Sequence, residues 1–218
     1  MELILPCLFS ELRSDALKNI LEKINNINFL QHIIIGLDRA NKEEFEYAKE
    51  YFSILKTSHS ILWNDGPRLQ NLQNELNEAE LANVENGKGK NVWYCIGYAI
   101  ARNSAEAVAF HDCDIKTYDE NILIKLFYPL LNDSMGYSFS KGYYPRYANN
   151  RLNGRVTRLL VTPLIKSLIK LFGNDDYLEF IDSFRYPLAG EYAIKKNLLR
   201  EIRIPSDWGL EIGILSEL

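Results

Sequence analysis

An α/β fold with a mostly parallel sheet flanked by helices is what this sequence predicts, and two observations carry the prediction. In the first half, short β-branched or apolar runs alternate with charged stretches of helical period, the pattern of successive βαβ units. The fourth such run, residues 107–110, is wholly apolar and opens onto His111-Asp112-Cys113-Asp114. A strand buried on both faces reads this way, and its C-terminal end is where an open parallel sheet takes its ligands.

Taken in order, residues 3–6 form the first strand, and a helix follows over residues 14–26 with Leu17, Ile20, Leu21 and Ile24 on one face. Residues 32–37 are the second strand. Residues 41–55 are an amphipathic helix with Lys42, Glu43, Glu46 and Lys49 outward. Residues 60–63 are the third strand, closed by the turn Asn64-Asp65-Gly66-Pro67. A polar surface helix is expected over residues 68–82. Gly87-Lys88-Gly89-Lys90 separates it from the next helix, residues 91–103. The second half is less regular: residues 135–141 read as a strand, and residues 155–172 as a helix interrupted or bent at Pro163. After these come an acidic, aromatic stretch from 174 to 186, the turn-like Pro187-Leu188-Ala189-Gly190, and a last helical stretch from Trp208. The sequence stops inside that apparent helix, so a longer natural chain is expected.

Composition bounds the function classes. With 218 residues, 47% hydrophobic and 25% charged, the chain is globular, and at this size roughly 70% of the unfolded surface is buried without a disulfide or structural metal. Its three cysteines lack CxxC spacing, which indicates a reducing, cytoplasmic compartment. Net charge is −4 and no basic run offers the footprint of a nucleic-acid binder. No apolar run approaches the ~20 residues of a membrane span, and the N-terminus lacks the basic start of a signal peptide. No repeat or linker divides the chain, so residues 1–218 are expected to be one domain.

Three motifs could carry chemistry. Asp112 and Asp114 stand at i and i+2 where a strand opens into a loop, so both carboxylates can turn toward one Mg²⁺ or Mn²⁺ and a sugar-linked diphosphate; the plain alternative is a solvated pair. Gly87-Lys88-Gly89-Lys90-Asn91 puts a lysine between two glycines ahead of a helix, either a diphosphate cradle or a flexible basic turn. Gly154-Arg155-Val156-Thr157-Arg158 offers guanidinium forks at a helix start, for a phosphorylated acid or merely for water. Lys141, Tyr143, Tyr144 and Arg146 make its neighbourhood basic and aromatic. His32 and His59 begin strands and read as structural, and only His111 adjoins the aspartates. No GxSxG elbow is present. Glu191 and Asp207 lie in turn-rich stretches where a carboxylate can face a cleft.

The ordered phrases ILPCLFSE, LDRA, GKGKNVW, HDCD, GRVTRLLVTPL, FRYPLAGEYA and GLEIGIL resemble the glucosyl-3-phosphoglycerate synthases of glycosyltransferase family 81, and more distantly family 2 glycosyltransferases. The resemblance implies a GT-A glycosyltransferase fold, Rossmann-like, with residues 1–115 as the nucleotide-sugar-binding half and residues 116–218 as the acceptor-binding half. It implies metal-dependent, retaining transfer of glucose from a nucleoside diphosphate glucose to D-3-phosphoglycerate, with Mg²⁺ or Mn²⁺ as cofactor. Matched position by position, Pro6, Cys7, Leu8, Glu11 and Asp38 would line the base and ribose. Lys88 would contact the diphosphate or the transferred sugar, Asp114 the metal, and Asp112 the ribose or a metal-bound water. Gly154, Arg155, Val156 and Thr157 would grip the acceptor phosphate, and Glu191 and Tyr192 would face donor sugar and acceptor. The family places a further metal-completing histidine beyond the GLEIGIL phrase. A homodimer is the expected assembly. Competing readings are an inverting transferase with Asp207 as base and a lipid, protein or glycan acceptor, a nucleotide-binding module without turnover, and a sugar nucleotidyltransferase.

Overall fold

The computed structural model describes residues 1–81, 86–144, 147–148, 151–152, 154–173 and 175–218. Four parallel strands come first: β1 (Glu2–Leu8), β2 (His32–Asp38), β3 (His59–Trp63) and β4 (Ala107–Phe110). β5 (Phe139–Lys141) follows, then a short antiparallel pair, β6 (Tyr147–Ala148) and β7 (Arg151–Leu152), and last β8 (Tyr192–Lys195). The main sheet has the order β3-β2-β1-β4-β8-β5, with β8 antiparallel to both neighbours. The mostly parallel α/β sheet is therefore as the sequence predicts.

Alternation of side chains along the strands divides the core in two. Leu3, Leu5, Ile33, Ile35 and Leu37 face one way, onto helices α1 (Asp15–Ile24), α2 (Lys42–Phe52) and, beyond them in the chain, α5 (Asn121–Leu131). Ile4, Ile34, Val108 and Phe110 face the other way. That side is covered by α4 (Lys88–Arg102), which follows α3 (Pro67–Glu78) in the chain, and by α9 (Leu210–Ser216). Local signals start the early helices where expected: the Ser14 hydroxyl accepts the Leu17 N–H, and Asn41 and Glu44 form a reciprocal capping box. α4 lies close on β2 because residue 36 is glycine. Asn91 donates to the Gly36 carbonyl at 2.7 Å, and a Cβ at Gly36 would overlap the Asn91 amide.

The second half departs from expectation in three places. The strand begins only at Phe139, because Gly136 turns the chain at φ 68° just before it. The bend near Pro163 is a π-helical turn over Thr157–Val161 that leads into α6 (Thr162–Phe172), with the proline in the first turn, where its missing N–H is not needed. β8 and α7 (Asp176–Ser183) arise where turns and an acidic stretch were read, and α8 (Lys196–Leu199) follows β8. Arg146 and Asn174 lie outside the described residues. No described helix is long and apolar enough to cross a membrane.

Candidate active site

A cleft of about 380 Å³ opens at the C-terminal ends of β1, β2 and β4. Pro6, Cys7, Leu8, Glu11, Asp38, Lys88, Asp112 and Asp114 all line it, so every residue expected to hold the donor or the metal meets in one place. Parallel strands explain the convergence: β1, β2 and β4 run side by side, and each releases its next residues at the same edge. Arg39, Asn86, Gly87, Asn91, Cys113 and Trp208 complete the wall and were not assigned roles from the sequence. Arg39 follows β2 with φ 56°, a left-handed conformation unusual for a side-chain-bearing residue. Trp208 is 86% exposed at the rim.

Charge organises the centre of the cleft. Lys88, the first residue of α4, bridges Asp112 Oδ1 at 2.6 Å and Glu211 Oε1 at 2.8 Å. Burial works against its charge, yet the two carboxylates outweigh it and hold the ammonium above its ordinary range. Glu211 belongs to the GLEIGIL phrase, but its place beside Lys88 depends on α9 folding back across the sheet, which no local pattern announces. Glu11 accepts the Leu8 N–H at 2.7 Å. Burial raises its carboxyl, and Asp114 and Asp112 raise it further, so three acidic groups crowd one end of the cleft. Burial, then Asp65, likewise raises Asp38. Two glycines make these approaches possible. A Cβ at Gly190 would overlap the Asp112 carboxylate, and one at Gly89 would overlap the Pro205 carbonyl.

The GKGK stretch serves differently from a backbone anion cradle. The Gly89 N–H donates to the Asp207 carbonyl at 3.3 Å and the Lys90 N–H to the Ser206 carbonyl at 2.8 Å. The glycines admit the 205–207 segment, and its carbonyls occupy those two amides, so the Lys88 side chain is what this motif offers an anion. Asp207, the base of an inverting alternative, accepts the Gly209 N–H at 3.2 Å and is tied into the same loop.

Glu191 and Tyr192 lie behind the cleft wall. Tyr192, expected to face the acceptor, is 2% exposed and stacks on Phe110 at 4.5 Å, because β4, β8 and β5 place Phe110, Tyr192 and Lys141 in one row. Its ring supports the site from beneath. Glu191 is fully buried, and its carbonyl accepts the Gly142 N–H at 2.7 Å. Lys141, which the sequence reading left without a role, donates to the Ala189 carbonyl at 2.8 Å and lies 5.3 Å over the Tyr192 ring. Burial lowers its ammonium to about 8 against the pull of Glu211 and Glu191. Gly154, Arg155, Val156 and Thr157 do not line the cleft. Gly154 adopts φ 82°, Arg155 and Val156 are exposed, and Thr157 is buried at the start of the π turn.

This sheet order, with a charged cleft at the carboxyl ends of its parallel strands, is the GT-A-like fold of glycosyltransferases. The chain is similar along its whole length to glucosyl-3-phosphoglycerate synthases: 43% identical over 218 residues to that of Persephonella marina, covering 100% of this chain and 54% of the relative. It is 39% identical over 220 residues to that of Methanococcoides burtonii, covering 99% and 54%. The chain thus spans about half the length of these curated relatives. Among solved structures, the Mycobacterium tuberculosis glucosyl-3-phosphoglycerate synthase in complex with Mn²⁺, UDP and glucosyl-3-phosphoglycerate superposes with a TM-score of 0.66 at 23% identity, over 98% of this chain and 63% of that one. The same enzyme with Mn²⁺, UDP-glucose and phosphoglyceric acid gives 0.67. No family model matches the chain.

Proposed function

We propose that this chain carries the catalytic site of a metal-dependent, retaining glycosyltransferase that moves glucose from a nucleoside diphosphate glucose to D-3-phosphoglycerate. Residues 1–115 supply the donor side and residues 116–218 the acceptor side. The observation that carries the reading is the cleft itself, where Asp112, Asp114 and Lys88 converge beside Pro6–Glu11 in a chain so similar to glucosyl-3-phosphoglycerate synthases.

The residues present fit a hard divalent cation. Asp114 is exposed to the cleft, and carboxylate oxygens are the donors that Mg²⁺ and Mn²⁺ take. The upward push on Glu11 from Asp114 and Asp112 shows negative charge gathered there. Asp114 would hold the ion directly and Asp112, already bridged to Lys88, would support it. When bound, the cation supplies charge compensation for the leaving diphosphate.

The chain's own groups do the rest. Lys88 is kept cationic by its two carboxylate partners and is preorganised to stabilise charge developing on the leaving group, with no reorganisation at the moment of reaction. Pro6, Leu8, Glu11 and Asp38 line the part of the cleft suited to base and ribose. Trp208 offers an aromatic face at the rim. Lys141 holds the 187–192 segment from behind through the Ala189 carbonyl, and Gly190 lets Asp112 nest against it. Gly154 to Thr157, with Arg155 exposed, would bind the acceptor phosphate through a guanidinium fork and helix-start amides. The acceptor hydroxyl would attack from the leaving-group face, its proton passing to a diphosphate oxygen.

Three free, buried cysteines support a cytoplasmic setting. A homodimer is proposed with it, supported by the exposed Leu159, Leu160, Leu171 and Phe172 along the π turn and α6; sedimentation equilibrium would show a monomer if this is wrong.

The test is incubation with Mg²⁺ or Mn²⁺, UDP-glucose or GDP-glucose and 3-phosphoglycerate. Acceptor-dependent, chelator-sensitive release of nucleoside diphosphate, with an α-linked product by NMR, is expected. A β-linked product would overturn retention. Release at the same rate without acceptor would overturn the acceptor assignment.

A further inference from the structure

β1 and β4 pair in parallel with Ile4 opposite Phe110, and the same offset carried three residues on sets Cys7 beside Cys113. Both side chains fall on the sheet face that packs against α1, α2 and α5, and each is 1% exposed. The 3₁₀ turn Phe9–Arg13 then brings Glu11 back over the end of β1, pinned by the Leu8 N–H. One ligand atom from each of Cys7, Glu11 and Cys113 lies within 4.8 Å of the other two, the one such grouping of three metal-ligating side chains among the described residues. The Cys7 thiol donates to the Leu8 carbonyl at 3.4 Å, on the same residue whose N–H holds Glu11. All three are among the residues that line the cleft, so the grouping adjoins its open space.

We propose that Cys7, Glu11 and Cys113 form a second cation site, distinct from the Asp112/Asp114 pair and selective for a thiophilic divalent ion of the Zn²⁺ class. Two thiolates and one carboxylate are a borderline-soft donor set, and a three-ligand site with one open position is a geometry Zn²⁺ adopts readily. Mg²⁺ and Mn²⁺ favour all-oxygen donors, so the two sites sort ions by chemistry. As the two sulfur–metal bonds form, the two thiol protons pass to the buffer. An ion there would sit under the Pro6–Glu11 wall and compete with the donor; this competition, unlike the binding itself, rests on the proposed function.

Co²⁺ serves as the spectroscopic probe, added to the folded chain in the presence of saturating Mg²⁺. About one equivalent should bind with a thiolate-to-cobalt charge-transfer band that Zn²⁺ displaces. The band should be lost in Cys7→Ser and in Cys113→Ser and kept in Cys95→Ser, whose thiol belongs to α4 and is buried on the opposite face of the sheet. Circular dichroism establishes that each variant is folded, and Glu11→Gln should weaken Co²⁺ binding without abolishing the band. No thiolate band in the folded chain, or an undiminished band in Cys113→Ser, would overturn the site. Zn²⁺ should also weaken UDP-glucose binding in the unsubstituted chain but not in Cys113→Ser. A band that leaves UDP-glucose binding untouched would uphold the ion site and contradict the placement of the donor.

Discussion

Residues 1–115 and residues 116–218 reach the same site by different means. In the first region three of the four parallel strands end at the cleft, and the side chains that matter are the next residues of the chain: Pro6 to Glu11 after β1, Asp38 and Arg39 at the end of β2, Asp112 to Asp114 after β4. In the second region two short antiparallel strands and a set of helices bring residues in by packing. Lys141 arrives because β5 pairs with β8, and Glu211 because α9 crosses back to Lys88. The cleft residues of the first region are thus set by a repeating scaffold, whereas those of the second depend on long-range fit.

The first way to break that comparison is Asp114→Ala. It removes the exposed carboxylate of the proposed ion site, and turnover with Mg²⁺ or Mn²⁺ should fall on the order of 10³-fold. An unchanged kcat would detach the acidic motif from the chemistry. Next comes Lys88→Ala, which leaves Asp112 and Glu211 facing each other without their shared cation. Here kcat should fall about 10²-fold, and circular dichroism should show the fold intact. A variant at full rate would make Lys88 a purely structural bridge.

Arg155→Ala sharpens the other side of the comparison. The KM for 3-phosphoglycerate should rise about tenfold with the KM for the donor unchanged. An unaltered acceptor KM would remove the 154–157 stretch from the acceptor site.

A separate effect, on stability and not on catalysis, concerns the boundary of the two regions, where His111 is fully buried against Tyr118 at 2.9 Å. Burial lowers its imidazole from 6.5 to about 3. Below pH 6.5 the unfolded chain takes up this proton while the native chain does not, so stability is lost as pH falls toward 3, by up to about 1.4 kcal/mol per pH unit. Above pH 6.5 both forms are neutral and the group contributes no slope. His111→Phe should therefore flatten the acid limb of a plot of urea midpoint against pH between 6.5 and 3. Limbs of equal slope would contradict the burial argument.

The sequence was most readable where local physics decides. Short apolar runs and helical patterns placed all four parallel strands and the helices between them, and Ser14 and Asn41 cap helix starts near the expected positions. Asp112, Asp114 and Lys88 were legible from their own motifs, whereas Pro6 to Glu11 and Asp38 were assigned through the resemblance; all meet in the cleft because strand ends in a parallel sheet share an edge. β8 was hidden because Tyr192 to Lys195 is only four residues long and follows a turn, and its strand character comes from pairing with β4 and β5. The burial of Tyr192 follows from that pairing too. The amides of GKGK were misjudged because their partners, the carbonyls of Ser206 and Asp207, lie more than a hundred residues away. Trp208 and Glu211 were invisible as site residues for the same reason.

The most direct test is calorimetric titration of UDP-glucose into the chain with and without Mn²⁺, repeated on Asp114→Ala and Arg155→Ala. The account predicts binding that requires Mn²⁺, is lost in Asp114→Ala and is kept in Arg155→Ala. Equal affinity in Asp114→Ala, or binding indifferent to the metal, would contradict the assignment of this cleft to the nucleotide-sugar donor.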